Sequence, residues 1–157
     1  MNQGIAIARG EYMALFNNDA FAEPDWLAEL IKTADADPQK FFAVSSLMLR
    51  YYEPELADDA GDYVTILGFA CKRGDGLKAS RYTKPCRVFS ACGGAALYRK
   101  SILDEIGVFD ELLFRVLRGR RFELACEQFR LQERLLPHGP LPPYLRRDHR
   151  CCALQPV

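Results

Sequence analysis

Asn17-Asn18-Asp19 is the densest group of oxygen donors in the N-terminal third of the sequence. It follows directly on the apolar run Ala14-Leu15-Phe16. A buried strand that stops in such a cluster delivers hard ligands to the edge of a sheet. Oxygen donors of this kind suit Mg²⁺ or Mn²⁺, ions that share their coordination shell with phosphates. Ligands of open α/β sheets also collect at the carboxyl ends of strands. The tripeptide has a plainer reading too, since Asn and Asp build turns by bonding their own backbone. A second position of interest is Gly93-Gly94, inside the apolar stretch Arg87 to Tyr98. Glycines within a strand pattern mark a bend, a bulge or a close approach of the backbone to something else.

The elements that must hold these residues can be read from periodicity. Residues 2 to 9 read as a helix with Ile5 and Ala8 on one face and Gly10 as its stop. Tyr12 to Phe16 reads as a buried strand. Pro24 suits a first helical position, and Trp26, Leu27, Leu30, Ile31 and Ala34 follow helical spacing to Asp35. Phe41 to Leu49 is apolar without alternation, the pattern of a strand covered on both faces. Residues 50 to 85 are rich in turn signals: Glu53-Pro54, Asp58-Asp59, Gly61-Asp62 and Arg73-Gly74-Asp75-Gly76. A short strand is expected near Tyr63 to Leu67. Ser101 is placed to cap a helix through Ile106, ended by Gly107.

Taken together, Asn2 to Leu30 and the block Gly93-Gly94-Ala95-Ala96-Leu97-Tyr98-Arg99-Lys100, followed by Leu103-Asp104-Glu105-Ile106-Gly107-Val108-Phe109-Asp110-Glu111, carry a resemblance. They resemble inverting family 2 glycosyltransferases of the GT-A fold, in particular the rhamnosyltransferase-like branch. The shared features are an Asn-x-Gly helix, Ala-Arg-Gly-Glu-Tyr, a strand ending in Asn-Asn-Asp, and Glu-Pro-Asp-Trp-Leu at the next helix. The resemblance covers roughly residues 2 to 114. It implies an α/β fold: a partial GT-A (Rossmann-like) sheet with flanking helices. It also implies a nucleotide-binding half ahead of the Asn-x-Gly helix, whose strands are missing here. A chain of this kind is expected to be an internal start or a gene remnant.

The resemblance assigns roles. Asp19 becomes the ligand of a divalent metal, Mg²⁺ or Mn²⁺, on the diphosphate of a nucleotide-sugar. Asn17 and Asn18 would meet that donor through water, ribose or diphosphate. Gly93 and Gly94 would lie beside the donor sugar, and Asp110 and Glu111 in the acceptor-side loop. Partners would be a nucleotide-sugar donor and a saccharide or lipid-linked acceptor, in cell-wall or polysaccharide biosynthesis. An asparagine where the family signature has a first acid lowers the charge of the site and predicts weaker metal binding.

Past Glu111 the resemblance breaks. The family continues with Tyr-x-Glu-Asp-x-Asp-Leu, whose Glu-Asp pair supplies the general base. Here that pair falls on Arg118-Gly119, and neither is a carboxylate. The genetic code offers a reason. Val116 to Leu124, written with synonymous codons as GTA TTA CGA GGA CGT CGA TTT GAG CTT, reads one nucleotide further on as Tyr-Tyr-Glu-Asp-Val-Asp-Leu-Ser. The same shift lets Ala125 to Arg134 encode Arg-Ala-Ser-Asn-Ser-Gly-Tyr-Arg-Ser-Gly. A frameshift between Glu111 and Val116 is therefore expected, dividing the chain into a partial GT-A domain, 1–114, and a poorly ordered out-of-frame tail, 115–157. Composition agrees: nine Arg and no Lys follow Phe114, whereas all six Lys lie at or before Lys100. A genuine Arg-rich tail for nucleic acid or anionic lipid is the rival reading.

Bulk properties narrow the alternatives. Formal net charge is zero, which argues against nucleic acid as the main partner. The six cysteines lack metal-site spacing and read as reduced thiols. No apolar run approaches the roughly 18 residues of a membrane span, and the N-terminus lacks a basic region followed by an apolar core. A cytoplasmic location is expected, at the inner membrane face if the acceptor is lipid-linked. Two functional readings follow: a glycosyltransferase fragment that has lost its base and its activity, or a non-catalytic remnant with weak or no nucleotide-sugar binding. A GT-A-like nucleotidyltransferase fits less well, because its N-terminal Gly-rich loop is not in this sequence.

Overall fold

The computed structural model describes residues 1–36, 41–67 and 69–109, together with the backbone of 132–136 and 145–147. Helix α1 (Asn2–Ile7) leads into strand β1 (Tyr12–Phe16) and the short β2 (Ala20–Ala22). Helix α2 (Trp26–Asp35) then returns the chain to β3 (Phe41–Ser46), which breaks at Leu47 before β4 (Met48–Arg50). The turn-rich stretch that follows holds β5 (Ala57–Asp59), β6 (Asp62–Val64), β7 (Ala70–Lys72), a 3-10 turn at Ala79–Arg81, and β8 (Cys86–Val88). Strand β9 (Ala95–Arg99) runs into helix α3 (Lys100–Ile106). Two strands lie further along, β10 (Gln132–Leu136) and β11 (Leu145–Arg147).

The main sheet has the order β1-β9-β3-β10-β8. Both β1 and β3 pair antiparallel with β9, so they run parallel to each other with β9 inserted between them. This is a β1-α2-β3 crossover unit whose two strands end at the same edge, the edge where β9 begins. Phe16 pairs with Ala95, and Ser45 with Ala96. A second sheet has the order β2-β11-β4-β5, and β6 pairs with β7 alone. The fold is mixed α/β with small sheets and flanking helices, consistent with a partial GT-A domain.

Burial explains why these segments take these forms. Every residue of β3 and β9 is buried, as an uninterrupted apolar strand requires. Side chains of β9 alternate: Ala95 and Leu97 join Trp26, Leu30 and Ala34 of α2, while Ala96 and Tyr98 face Ile5 of α1 and Leu103 of α3. Phe42 and Ala43 both contribute to the α1/α3 side, beside the register irregularity where Phe41 and Ala43 pair with successive residues of β10. Trp26, Leu30 and Ala34 recur every fourth residue and are buried, whereas Leu27 is exposed. Buried Trp26 donates its indole N–H to Ser46 Oγ at 2.7 Å, which pins α2 to the end of β3. Arg99 donates to the Ala34 carbonyl at 3.1 Å, satisfying an acceptor at the α2 C-terminus.

Two helix starts are revised, and one interruption proves wider than expected. Helix α2 begins at Trp26 with Asp25 as its flanking residue, so Pro24 lies in the preceding turn. Helix α3 begins at Lys100, flanked by Arg99, which places Ser101 inside the helix and not at its cap. The stretch Arg87 to Tyr98 is interrupted before Ala95, and the interruption is wider than the glycine pair: it runs from Phe89 to Gly94, between β8 and β9, which occupy different places in the sheet. The segment 115–157, expected to be poorly ordered, lies mostly outside the described residues; the backbone of β10 and β11 within it pairs with both sheets. Among the described residues no helix is long and apolar enough to cross a membrane.

Candidate active site

The edge where β1 and β3 end and β9 begins collects the residues singled out by chemistry. Asn17 follows the last residue of β1, and Gly94 precedes the first residue of β9. Their backbones meet directly: the Asn17 N–H donates to the Gly94 carbonyl at 2.9 Å. The Ala20 N–H closes a turn onto the Asn17 carbonyl at 3.2 Å. Asn-Asn-Asp is thus a turn that points Asn18 outward and Asp19 inward. Asn17 is half-buried, Asn18 is exposed, and Asp19 is buried at 5% exposure.

The two glycines serve different purposes. A Cβ on Gly94 would lie 3.1 Å from Asn17 Nδ2 and 3.5 Å from both Cys92 Sγ and Met48 Cε. Glycine there lets the Asn17 side chain pack against the backbone. Among the described residues a Cβ on Gly93 would meet nothing within 4 Å, and Gly93 is exposed.

Sequence reasoning missed the groups that back this edge. Asp59, at the end of β5, is 1% exposed and accepts the Gly61 N–H at 2.7 Å. It shares a side-chain hydrogen bond with Cys92, the residue before the glycine pair. Desolvation, with a smaller contribution from the Asp62 charge, pushes Asp59 up to about 7. Burial likewise raises Asp62. Burial, and then the charge of Asp59, hold the Cys92 thiol well above its ordinary value, so it is protonated at neutral pH. The Cys92 N–H donates to Ser45 Oγ at 3.2 Å, and the Asp62 N–H to the Ser90 carbonyl at 2.9 Å, tying this loop to β3 and β6. The signal lay in Asp58-Asp59-Ala-Gly-Asp62, which carries three acids in five residues. Its glycine is a genuine turn residue: Gly61 has φ +91°, and a Cβ there would strike Val88 at 2.7 Å.

Donor chemistry limits what metal this edge could take. Among the described residues no group of three or more His, Cys, Asp and Glu side chains gathers into a metal cage. One buried carboxylate with amide neighbours instead suits a cation that arrives with a diphosphate and keeps other oxygens in its shell. Asp19 is the carboxylate of that turn, two residues after Asn17 and 5% exposed. Asp110, Glu111 and Gly119 lie outside the described residues. The chain is anchored just before them, where Phe109 is buried against Tyr98 and its carbonyl accepts from Asn2 Nδ2 at 2.8 Å.

Residues 1–107 match the family model for Glycosyl transferase family 2. The chain belongs to glycosyl transferase family 2. No curated protein matches it. The family match spans α1 to Gly107 and so contains Asn17, Asp19, Gly93 and Gly94 together with the acids of β5 and β6. A family 2 glycosyltransferase calls for a nucleotide-sugar and an acceptor as partners, and its members commonly use divalent metals.

Proposed function

We propose that the edge formed by Asn17, Asp19 and Gly93-Gly94 is the donor side of a glycosyltransferase of the rhamnosyltransferase-like branch. The parent activity moves a sugar from a nucleoside diphosphate to a hydroxyl acceptor with inversion. What carries this reading is the 2.9 Å bond from the Asn17 N–H to the Gly94 carbonyl, which joins the acid-bearing turn to the glycine opening. Asp19 would hold Mg²⁺ or Mn²⁺ through its carboxylate, and Asn17 and Asn18 would orient the diphosphate with their amides. A metal bound there neutralises charge on the departing diphosphate. The space beside Gly93 admits the sugar ring. Transfer with inversion needs one more group, a carboxylate to take the acceptor proton. The position where the family pattern puts that base is Gly119 in this sequence.

The same reading makes this chain a donor binder without turnover, produced by a frameshift between Glu111 and Val116. The synonymous-codon reconstruction of Tyr-Tyr-Glu-Asp-Val-Asp supports it. Sequencing the encoding DNA across codons 105 to 140 is expected to spell that motif in the adjacent frame. A transfer assay with uridine- and thymidine-diphosphate sugars is expected to show no product above the protein-free blank. An adjacent frame without the motif, or sugar transfer that disappears in Asp19→Ala, would overturn the inactive-fragment reading.

A further inference from the structure

A cavity of about 280 Å³, away from the Asn17–Gly94 edge, is lined by Arg50, Tyr51, Tyr52, Glu53, Asp58, Lys72 and Asp75. Its volume is near the lower end of the range for small-molecule sites, suited to a single sugar ring. It lies between the second sheet, where β4 ends in Arg50, and the β6-β7 pair, where β7 ends in Lys72.

Two properties of the lining point to one ligand chemistry. The first is a row of exposed aromatic rings. Phe21 and Tyr51 stand 5.3 Å apart and Tyr51 and Tyr52 5.0 Å apart, with exposures of 57%, 37% and 54%. Phe21 lies on β2, two residues after Asp19, so the row runs from the strand that follows the candidate metal ligand to the cavity. Single exposed apolar residues are ordinary, but a contiguous patch beside a cavity marks a binding surface. The second property is charge already matched in place. Arg50 is clamped between Asp75 at 3.0 Å and Glu53 at 3.3 Å, and Lys72 lies 3.2 Å from the buried carboxylate of Asp58. Both cations of the lining are therefore occupied, and its three carboxylates outnumber them. Such a surface does not attract phosphate. It does offer fixed donors and acceptors at several angles, which is what hydroxyl groups require.

We propose that this cavity binds a neutral pyranose. The C–H face of the ring rests on Tyr52, with Tyr51, set at 80° to it, closing one side, and its hydroxyls bond to Asp75, the Arg50 guanidinium and the Lys72–Asp58 pair. Aromatic rings contribute apolar area at low entropic cost, and the tyrosine hydroxyls stay wet. If the donor-side reading above holds, the bound sugar is the acceptor; binding itself does not depend on that reading.

The test is saturation-transfer NMR on the full chain with three probes: methyl α-L-rhamnopyranoside, methyl α-D-glucopyranoside and methyl N-acetyl-β-D-glucosaminide. At least one is expected to receive saturation at its ring protons. That signal should fall about tenfold in Tyr52→Ala, the loss of an aromatic anchor, and also in Asp75→Asn, which keeps the shape of the side chain. It should persist in Asp19→Ala. Uridine diphosphate is titrated in parallel, and its binding should not respond to Tyr52→Ala. No saturation from any probe, or saturation undiminished in both cavity variants, overturns the proposal. So does uridine diphosphate binding that Tyr52→Ala abolishes, because the cavity would then be a nucleotide site. Failure of uridine diphosphate to bind at all, with the saccharide signal intact and sensitive to Tyr52, sinks the donor-side reading and upholds the saccharide site.

Discussion

The parent chain is expected to lose stability between pH 5 and pH 8, and Asp59→Asn is expected to remove most of that loss. Asp59 is raised from an ordinary carboxylate value of 3.8 to about 7 in the fold, chiefly by burial. A group with a raised folded value binds its proton more tightly folded than unfolded. Below pH 4 both states hold the proton and burial costs nothing. Between about 4 and 7 the unfolded chain ionises freely while the fold keeps Asp59 neutral, so stability falls as pH rises. Above 7 the penalty is complete. The span corresponds to about 4 kcal/mol, of which about 3 kcal/mol falls between pH 5 and 8. Asparagine retains an oxygen for the Gly61 N–H and cannot ionise, so its profile should be flatter, with only the smaller slope from Asp62. Urea unfolding of both proteins at pH 5 and pH 8 decides the matter. A parent profile that is flat, or a slope unchanged in the variant, would show that Asp59 is not held neutral.

Phe42→Ala should cost about 3–5 kcal/mol, the range for deleting a large aromatic from a packed core. Phe42 is 1% exposed and meets Tyr98 edge-on at 5.5 Å, in the cluster that joins α1, β1, β3, β9 and α3. A domain of ordinary stability has about 5–15 kcal/mol in total, so the variant should melt far below the parent and be partly unfolded at 37 °C. Leu27→Ala is the matched control. Leu27 is on α2 but 44% exposed, and its loss should stay within about 0.5 kcal/mol. Thermal melts followed by circular dichroism would contradict the packing if the two variants cost the same.

Legibility of the fold followed the strength of local signals. Strand β1 and helix α2 were readable to the residue at most ends, because their apolar spacing is regular and their flanks carry Gly10 and Asp37-Pro38. Continuous burial of β3 was readable from its lack of alternation. The break at Leu47 was not, since Leu47 is itself buried and apolar. Insertion of β9 between β1 and β3 pairs it with strands about 80 and about 50 residues earlier in the chain, which no local pattern encodes. At the site, Asn17 and Gly94 could be named separately, yet their contact is a product of that same pairing. Asp59 was hidden because Asp-Asp-Ala-Gly-Asp scores as a turn, and only the packing of β5 beneath Cys92 takes its carboxyl out of water. The aromatic row was hidden for the converse reason. Tyr51-Tyr52 sits among turn signals, and its partner Phe21 lies 30 residues earlier.

The central claim is that the Asn17–Asp19 turn beside Gly93-Gly94 receives a metal-bound nucleoside diphosphate. Isothermal titration of uridine and thymidine diphosphate into the full chain, with and without Mn²⁺, tests it most directly. Weak binding of at least one nucleotide is expected that requires Mn²⁺, falls about tenfold or more in Asp19→Ala through loss of a charged ligand, and is unchanged in Tyr52→Ala. Nucleotide binding that is indifferent to Mn²⁺ and to Asp19, or no binding of either nucleotide at millimolar concentration, would contradict it.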